Sequence, residues 1–479
     1  MSRFKVLLIY PNTPMATLLP IGVSSLSACL KQAGFDVQLF DTTYYRTGLD
    51  NFEKRKEHLL QVKPFDMGVP FKAGNVYDDL RSMVNDYQPD LIGISLVEDT
   101  IPLGLNLLVH IQEYNPKVPR IAGGVGTTFN SDWLINSGLI DIVFRGEAEY
   151  SLIDYIRGKF QNTSKPTIIG PFKPVDINQL PPPDFSIFES DRIKRVMHGK
   201  TYRMLHVELD RGCPYNCTYC CSPALKGMYG KGYYRTKTVD RLLREMSYLK
   251  GRWNPDYIDF NSETLLARPT QDLIKFMALY HEHIDVPFWC QSRPETVTPK
   301  KLAALKLGGV SDMQFGVEHG NEDFRRKWLN RKASNKVILN GLRTVEKYQI
   351  PYTVNNIIGW PEETRELVFD TINFNRQINP KTMNVYMMTP YKGTRMREYC
   401  EAEGFIAPDA RSMQLLGGVE GMTYRYMTRD QFLGLQRTFP LFVKWPAMAE
   451  RIECAEEFDA SGNLMFQWFR DKYIWRYYS

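Results

Sequence analysis

The sequence predicts an α/β protein with two successive parallel-sheet units and a small helical end. Short apolar runs of strand length alternate with helix-length segments twice, over residues 1–160 and again over 201–395. A proline-rich, weakly periodic stretch at 161–200 separates the two series and contains Leu180-Pro181-Pro182-Pro183. From 396 to 479 the alternation stops and apolar residues recur at helical spacing. At 479 residues the chain is too long for one ordinary core, and about three domains are expected from length.

In the first series, strands are expected at 5–10, 36–40, 90–95, 120–122 and 141–144, with helices at 22–33, 76–86, 103–114 and from about 149. A poorly periodic insert occupies 44–74. Five strands with crossover helices fit a doubly wound, flavodoxin-like (Rossmann-type) sheet, which binds ligands at the carboxyl ends of its strands. Those ends carry Pro20-Ile21-Gly22, Ser95-Leu96, Gly123-Gly124 and Arg145-Gly146-Glu147. Each glycine alone reads as a tight βα turn; as an ordered set on one edge they let backbone approach a ligand.

In the second series, strands are expected at 203–209, 257–260, 288–291, 313–317, 352–358 and 382–388. Helices are expected at 239–249, 270–281, 299–307, 336–348 and 366–375. Six βα units predict a partial (β/α)6 barrel of TIM type, with functional groups at the strands' carboxyl ends. Just past the first strand stand Cys213, Cys217 and Cys220, at C-x3-C-x2-C spacing. Later ends carry Glu263, then Gln291 and Arg293, then Glu318, then the 355–359 run and its Gly359. Three thiolates on one loop can hold three corners of an iron–sulfur cube and leave the fourth iron open. A zinc loop, or three unrelated buried cysteines, are the alternatives.

The spacing, with Tyr219 directly before the last cysteine, resembles the radical SAM enzymes. The resemblance implies a 4Fe-4S cluster on Cys213, Cys217 and Cys220, with S-adenosylmethionine (SAM) on its open iron. SAM needs a cation for its carboxylate, acceptors for its ammonium and ribose, and backbone edges for its adenine. Arg293, Glu318, Gln291, Asn355 and Gly359 supply these types, with Tyr219 and Glu263 beside them.

The first unit resembles the cobalamin-binding domain that precedes many radical SAM barrels. On that resemblance Gly22, Ser95, Leu96, Gly123, Gly124, Gly146 and Glu147 are cofactor contacts. One departure stands out. Cobalamin domains that ligate cobalt from below carry D-x-H-x-x-G; here Thr17-Leu18-Leu19-Pro20-Ile21-Gly22 keeps the glycine but puts Leu19 in the histidine position. The cobalt's lower face is therefore expected to lack a histidine, which favours methyl transfer.

Together the resemblances imply C-methylation of an unactivated sp3 carbon in a peptide or protein side chain or a small natural product. A 5′-deoxyadenosyl radical would remove hydrogen and methylcobalamin would give the methyl. Rearrangement or cyclisation without methyl transfer is the alternative enzyme reading. An RNA-modifying methylthiotransferase fits less well, because the first unit has only Cys29 and the tail is helical. A flavodoxin or ferredoxin is the expected electron donor.

The formal charge of +6 is mild, with basic clusters at 192–195, 226–237 and 325–332. Such runs are usually solvated faces or phosphate contacts, so nucleic acid is not an expected partner. Eight cysteines, three on one loop with Cys221 adjacent, suit a reducing compartment. The apolar start reads as a first strand rather than a signal peptide, and no run reaches about 18 apolar residues. A cytoplasmic protein is expected. Cys221 and Cys290 read as core thiols and His206 as a satisfied core histidine. In the tail, a helix at 431–444 is expected to be kinked or interrupted at Pro440, and a second is expected over 446–456. An aromatic segment at 464–478 completes a unit expected to cap the barrel mouth.

Overall fold

A computed structural model describes residues 3–159, 166–197, 199–410, 413–414 and 417–478. Most of the Gln161–Pro166 stretch read as linker, and His198, lie outside the described residues. The first sheet contains β1 (Lys5–Tyr10), β2 (Asp36–Asp41), β3 (Leu91–Ser95), β4 (Arg120–Gly123), β5 (Ile142–Phe144) and β6 (Thr167–Ile169), all parallel. Their spatial order is β2-β1-β3-β4-β5-β6. This is the doubly wound, flavodoxin-like arrangement, and its order reverses between β1 and β3, where such sheets open a ligand crevice. Strand β6 lies inside the stretch read as linker. Its three residues are too few to register as a periodic run, and pairing with β5 supplies what periodicity lacked. The helix Ile21–Gln32 follows β1, and the insert contains a short helix, Phe52–His58.

The second sheet has the order β15-β14-β13-β12-β11-β8-β7. The six expected strands are β8 (Lys200–Glu208), β11 (Tyr257–Asn261), β12 (Phe288–Ser292), β13 (Val310–Glu318), β14 (Tyr352–Ile358) and β15 (Thr382–Met387), and they run parallel. Strand β7 (Lys194–Met197) adds an antiparallel edge. Two short strands, β9 (Asp210–Arg211) and β10 (Arg235–Thr236), pair beside the cysteine loop.

Alternation sorts the two faces of this half-barrel. Phe260 stacks on Phe288 at 4.1 Å and meets Phe276 and Tyr280 on the covering helix. Cys290, on the same face, is fully buried there, as a core thiol should be. The opposite face is polar: His206 Nδ1 lies 2.9 Å from Asp259 Oδ2, and Asn384 Nδ2 donates to Asn355 Oδ1 at 2.9 Å.

The helical end corrects three expectations. The helix Arg429–Lys444 runs along the edge strand β15 rather than over the barrel mouth: Gln436 Nε2 donates to the Val385 carbonyl at 2.9 Å, and Gln61 Nε2 donates to the same oxygen at 2.8 Å. An unclosed barrel leaves edge carbonyls that require cover. Pro440 does not interrupt the helix, since nearly the whole segment is buried and packing outweighs the lost backbone bond. The expected 446–456 helix is a 3-10 turn, Pro446–Met448, followed by Ala449–Cys454. In the last helix, Ala460–Tyr477, the aromatics divide: Phe466, Phe469 and Tyr473 are buried, whereas Trp468 and Trp475 are exposed.

Candidate active site between the two sheets

The carboxyl ends of the two sheets face each other. Past β3, Asp99 accepts the Tyr391 hydroxyl at 3.1 Å, and Glu98 Oε2 accepts the Lys392 N–H at 2.9 Å. Tyr391 and Lys392 follow β15. Past β5, the Glu147 carboxylate is clamped by the Arg235 guanidinium on both oxygens. Arg211 Nη1 reaches Glu149 at 2.7 Å while its Nε and Nη2 hold Glu208 at 2.8 and 3.1 Å. These contacts tie the edge of the first sheet to the strand that leads into the cysteine loop.

A cavity of about 240 Å³ opens on the first sheet's edge. Gly22, Ser95, Gly123, Gly124, Gly146 and Glu147 line it, joined by Glu208 and Arg211 from the second unit. Leu19 and Leu96 do not line it; both are buried in the packing behind. A Cβ on Gly22 or Gly123 would meet no neighbouring atom, so both present bare backbone to open space. Gly124 differs: at φ +99° its added Cβ would stand 2.6 Å from the Leu96 carbonyl oxygen. Gly146 admits the Tyr229 hydroxyl, which accepts the Glu147 N–H at 2.6 Å. Such a glycine-lined crevice at a sheet's switch point suits the tail of a large cofactor such as cobalamin.

At the barrel mouth, Cys213, Cys217 and Cys220 are free and half-buried. Among the described residues no three His, Cys, Asp or Glu side chains converge on a single-ion site. Three thiols on one loop suit the corners of an iron–sulfur cube. N–H donors reach the sulfurs: Ser222 N lies 3.4 Å from Cys220 Sγ, and Arg293 Nη1 lies 3.6 Å from Cys217 Sγ. The Cys220 thiol is lowered by its hydrogen bond with Cys221, and burial raises Cys213 to about 11. Cys221 thus touches the loop rather than the core alone.

The barrel-end residues form one charged network. Arg293 stacks over the Tyr215 ring at 3.8 Å and pairs with Glu295 at 2.6 Å. Arg331 Nη1 donates to Glu318 at 2.9 Å. Glu318 ends β13 at φ +69°, past a register shift between Gly316 and Glu318, a strain that persists only where the surroundings impose it. Burial raises its carboxyl above the usual range, while Arg331 and the Tyr219 hydroxyl act to lower it. Tyr219 packs edge-on to Trp360 at 5.7 Å. Among the described residues Arg331 Nε is buried with no hydrogen-bond partner, and Glu295 Oε2 has only its ion pair with Arg331 Nη2 at 3.5 Å, so the network keeps capacity for a polar zwitterion. Gln291 belongs to the polar inner face by its register with Gln314, and Gly359 takes φ +79° where the chain leaves β14. Glu263 is solvent-accessible, yet the surrounding protein raises its carboxyl too.

Arg331, Glu295, Arg211 and Arg235 join the site without a sequence signal of their own. The basic runs read as solvated faces in fact contribute Arg192, Arg325 and Arg331 to the interior. Only carboxylates from distant segments distinguish such an arginine from a surface one.

Residues 207–374 match the family described as the Radical SAM superfamily, and residues 12–155 match the B12 binding domain. An uncharacterised methyltransferase of Pyrococcus horikoshii is 24% identical over 345 residues, covering 69% of this chain and 73% of that protein. The hopanoid C-3 methylase of Methylococcus capsulatus is 22% identical over 414 residues, covering 81% of this chain and 71% of its own. The solved structure of the cobalamin-dependent S-adenosylmethionine radical enzyme OxsB, with aqua-cobalamin and S-adenosylmethionine bound, shares the fold at TM-score 0.66 and 14% identity, over 99% of this chain and 72% of that one. The cofactors of the two matched domains are a 4Fe-4S cluster with SAM, and cobalamin, and the donor sets described above fit them. The chain carries a B12 binding domain ahead of a Radical SAM superfamily domain, and these domains and its relatives mark it as an enzyme of the methyltransferase-like kind.

Proposed function

We propose that this enzyme is a C-methyltransferase acting on an unactivated sp3 carbon of a small molecule or a peptide side chain. The observation that carries it is the facing of the two carboxyl edges across the Tyr391–Asp99 and Arg235–Glu147 contacts. One substrate held between them is within reach of both cofactor sites, which is what transfer between two cofactors demands. When bound, the cofactors would supply a SAM-derived radical and a transferable methyl group. Cys213, Cys217 and Cys220 would hold the cluster. Arg293 would hold the SAM carboxylate, and Glu318 would accept from its ammonium or ribose. Gln291, Asn355 and Gly359 would face the remainder, with Tyr219 and Glu263 at the rim. The lining of the first cavity, from Gly22 to Glu147, would seat the cobalamin tail. The polar inner face of the barrel would orient the substrate, while Cys290 packs on the other side. An electron donor of flavodoxin or ferredoxin type would complete turnover.

The test is anaerobic turnover with methyl-labelled SAM, read by mass spectrometry. Methylation yields both 5′-deoxyadenosine and S-adenosylhomocysteine, with label in the product. SAM cleavage without S-adenosylhomocysteine would support rearrangement or cyclisation instead, and no cleavage by the loaded protein would reduce it to a carrier.

A further inference from the structure

His319 and Glu363 are both sealed from solvent, and nothing above employs them. They stand on the loops that follow β13 and β14, with His319 Nε2 3.0 Å from Glu363 Oε1. Neighbours assign the direction of this bond. The Asn321 backbone N–H donates to His319 Nδ1 at 3.1 Å, so Nδ1 is the acceptor and the ring proton sits on Nε2. The other Glu363 oxygen accepts the Gly359 N–H at 2.7 Å and the Trp360 N–H at 3.2 Å. The imidazole stacks on Phe324 at 4.4 Å, and the His319 carbonyl accepts Arg325 Nη1 at 2.7 Å.

We propose that His319 and Glu363 are positioning residues for SAM, clasping the loop that carries Glu318 to the loop that starts at Gly359. The inference rests on the reading that Glu318 and the 355–359 edge hold SAM. The two loops leave adjacent strands, but the ladder between them slips before Glu318. The ladder ends at the Glu318–Asn356 pair just past that slip, and beyond it no paired residues of the two strands set the spacing of the loops. A buried, charge-assisted hydrogen bond does so instead, and its carboxylate also fixes the Gly359–Trp360 turn. Without it, the two halves of the SAM seat keep their residues but lose their spacing. Neither side chain need touch the ligand.

The test uses the full chain, reconstituted anaerobically with cluster and cobalamin, with SAM binding measured by equilibrium dialysis. His319→Leu removes the donor, and Glu363→Gln places an amide N–H against donors. Each is expected to weaken SAM binding about ten- to a hundredfold. Iron and sulfide per chain, corrin absorbance and the maximal rate of SAM cleavage should stay within about threefold of the parent. His319→Gln keeps an N–H for Glu363 and is expected to bind SAM almost normally. The double variant H319Q/E363Q should recover most of the E363Q loss, because the amide oxygen at 319 can accept from the amide nitrogen at 363. A purely structural role would lower stability in every variant without this pattern of rescue. Normal SAM binding in cluster-loaded H319L and E363Q overturns the clasp. Should either fail to load its cluster, a double variant no better than E363Q overturns it as well. A parent protein that loads its cluster yet binds no SAM overturns the seat itself, and the clasp with it.

Discussion

Single residues at this site are held by partners far away in sequence, and their chemistry follows from those partners. Replacing Cys213, Cys217 or Cys220 by Ala should abolish the brown cluster absorbance and SAM cleavage together. Cleavage that survives would sink the assignment of that cysteine. Asp210, three residues ahead of Cys213, shows how a partner sets protonation. Its oxygens accept the Ser262 hydroxyl at 2.8 Å, yet burial lifts its carboxyl from 3.8 to about 7. The folded chain therefore keeps a proton that the unfolded chain releases above about pH 4. This stabilisation is full below that pH, falls by up to about 1.4 kcal/mol per pH unit as pH rises, and is lost above about pH 7. Asp210→Asn should flatten that slope in urea midpoints measured between pH 5 and 8; an unchanged slope would assign it to other groups. At Gly124, alanine would combine left-handed strain with a backbone clash at Leu96 and should destabilise the first unit by about 1–3 kcal/mol, with loss of retained corrin absorbance after purification.

At the scale of elements, the sequence is most informative where a segment is both long and periodic. All six expected barrel strands and all five expected strands of the first sheet are present, because each buries a continuous apolar face that alternation or composition reveals. The elements without a sequence signal are short or edge-like. Strand β6 has three residues, and β9 and β10 have two each. The open edge at β15 is another such feature, since no pattern in 382–388 announces that the strand lacks a neighbour. Gln61 and Gln436 stand in for that neighbour by donating to one carbonyl. Either Gln→Ala change should cost about 1 kcal/mol in urea unfolding. The double change should exceed the sum, because only then is the buried carbonyl orphaned. Strict additivity would show that water reaches the edge.

At the scale of the whole molecule, the carboxyl edges of the two sheets meet through polar contacts. Arg235→Ala would leave Glu147 with the Val175 N–H at 2.8 Å and Arg211 at 3.6 Å. It should speed limited proteolysis between the sheets and weaken cobalamin retention several-fold, as loss of a partly buried paired charge does, while cluster absorbance is kept. Equal loss of both chromophores would mean general unfolding rather than separation of the halves. Among the described residues, no helix is long and apolar enough to cross a membrane.

The cysteine spacing, the glycine-marked strand ends and the two runs of βα alternation are local signals, and local signals can be read from a chain. They determined the fold class and the two kinds of cofactor domain. Tertiary structure alone decided which charges meet. Arg331 is drawn from a basic run onto Glu318, Arg211 and Arg235 bind the first sheet to the cysteine loop, and His319 finds Glu363 forty-four residues away. A charged side chain reads the same in sequence whether it faces water or a buried partner, and only the fold brings that partner within hydrogen-bond reach.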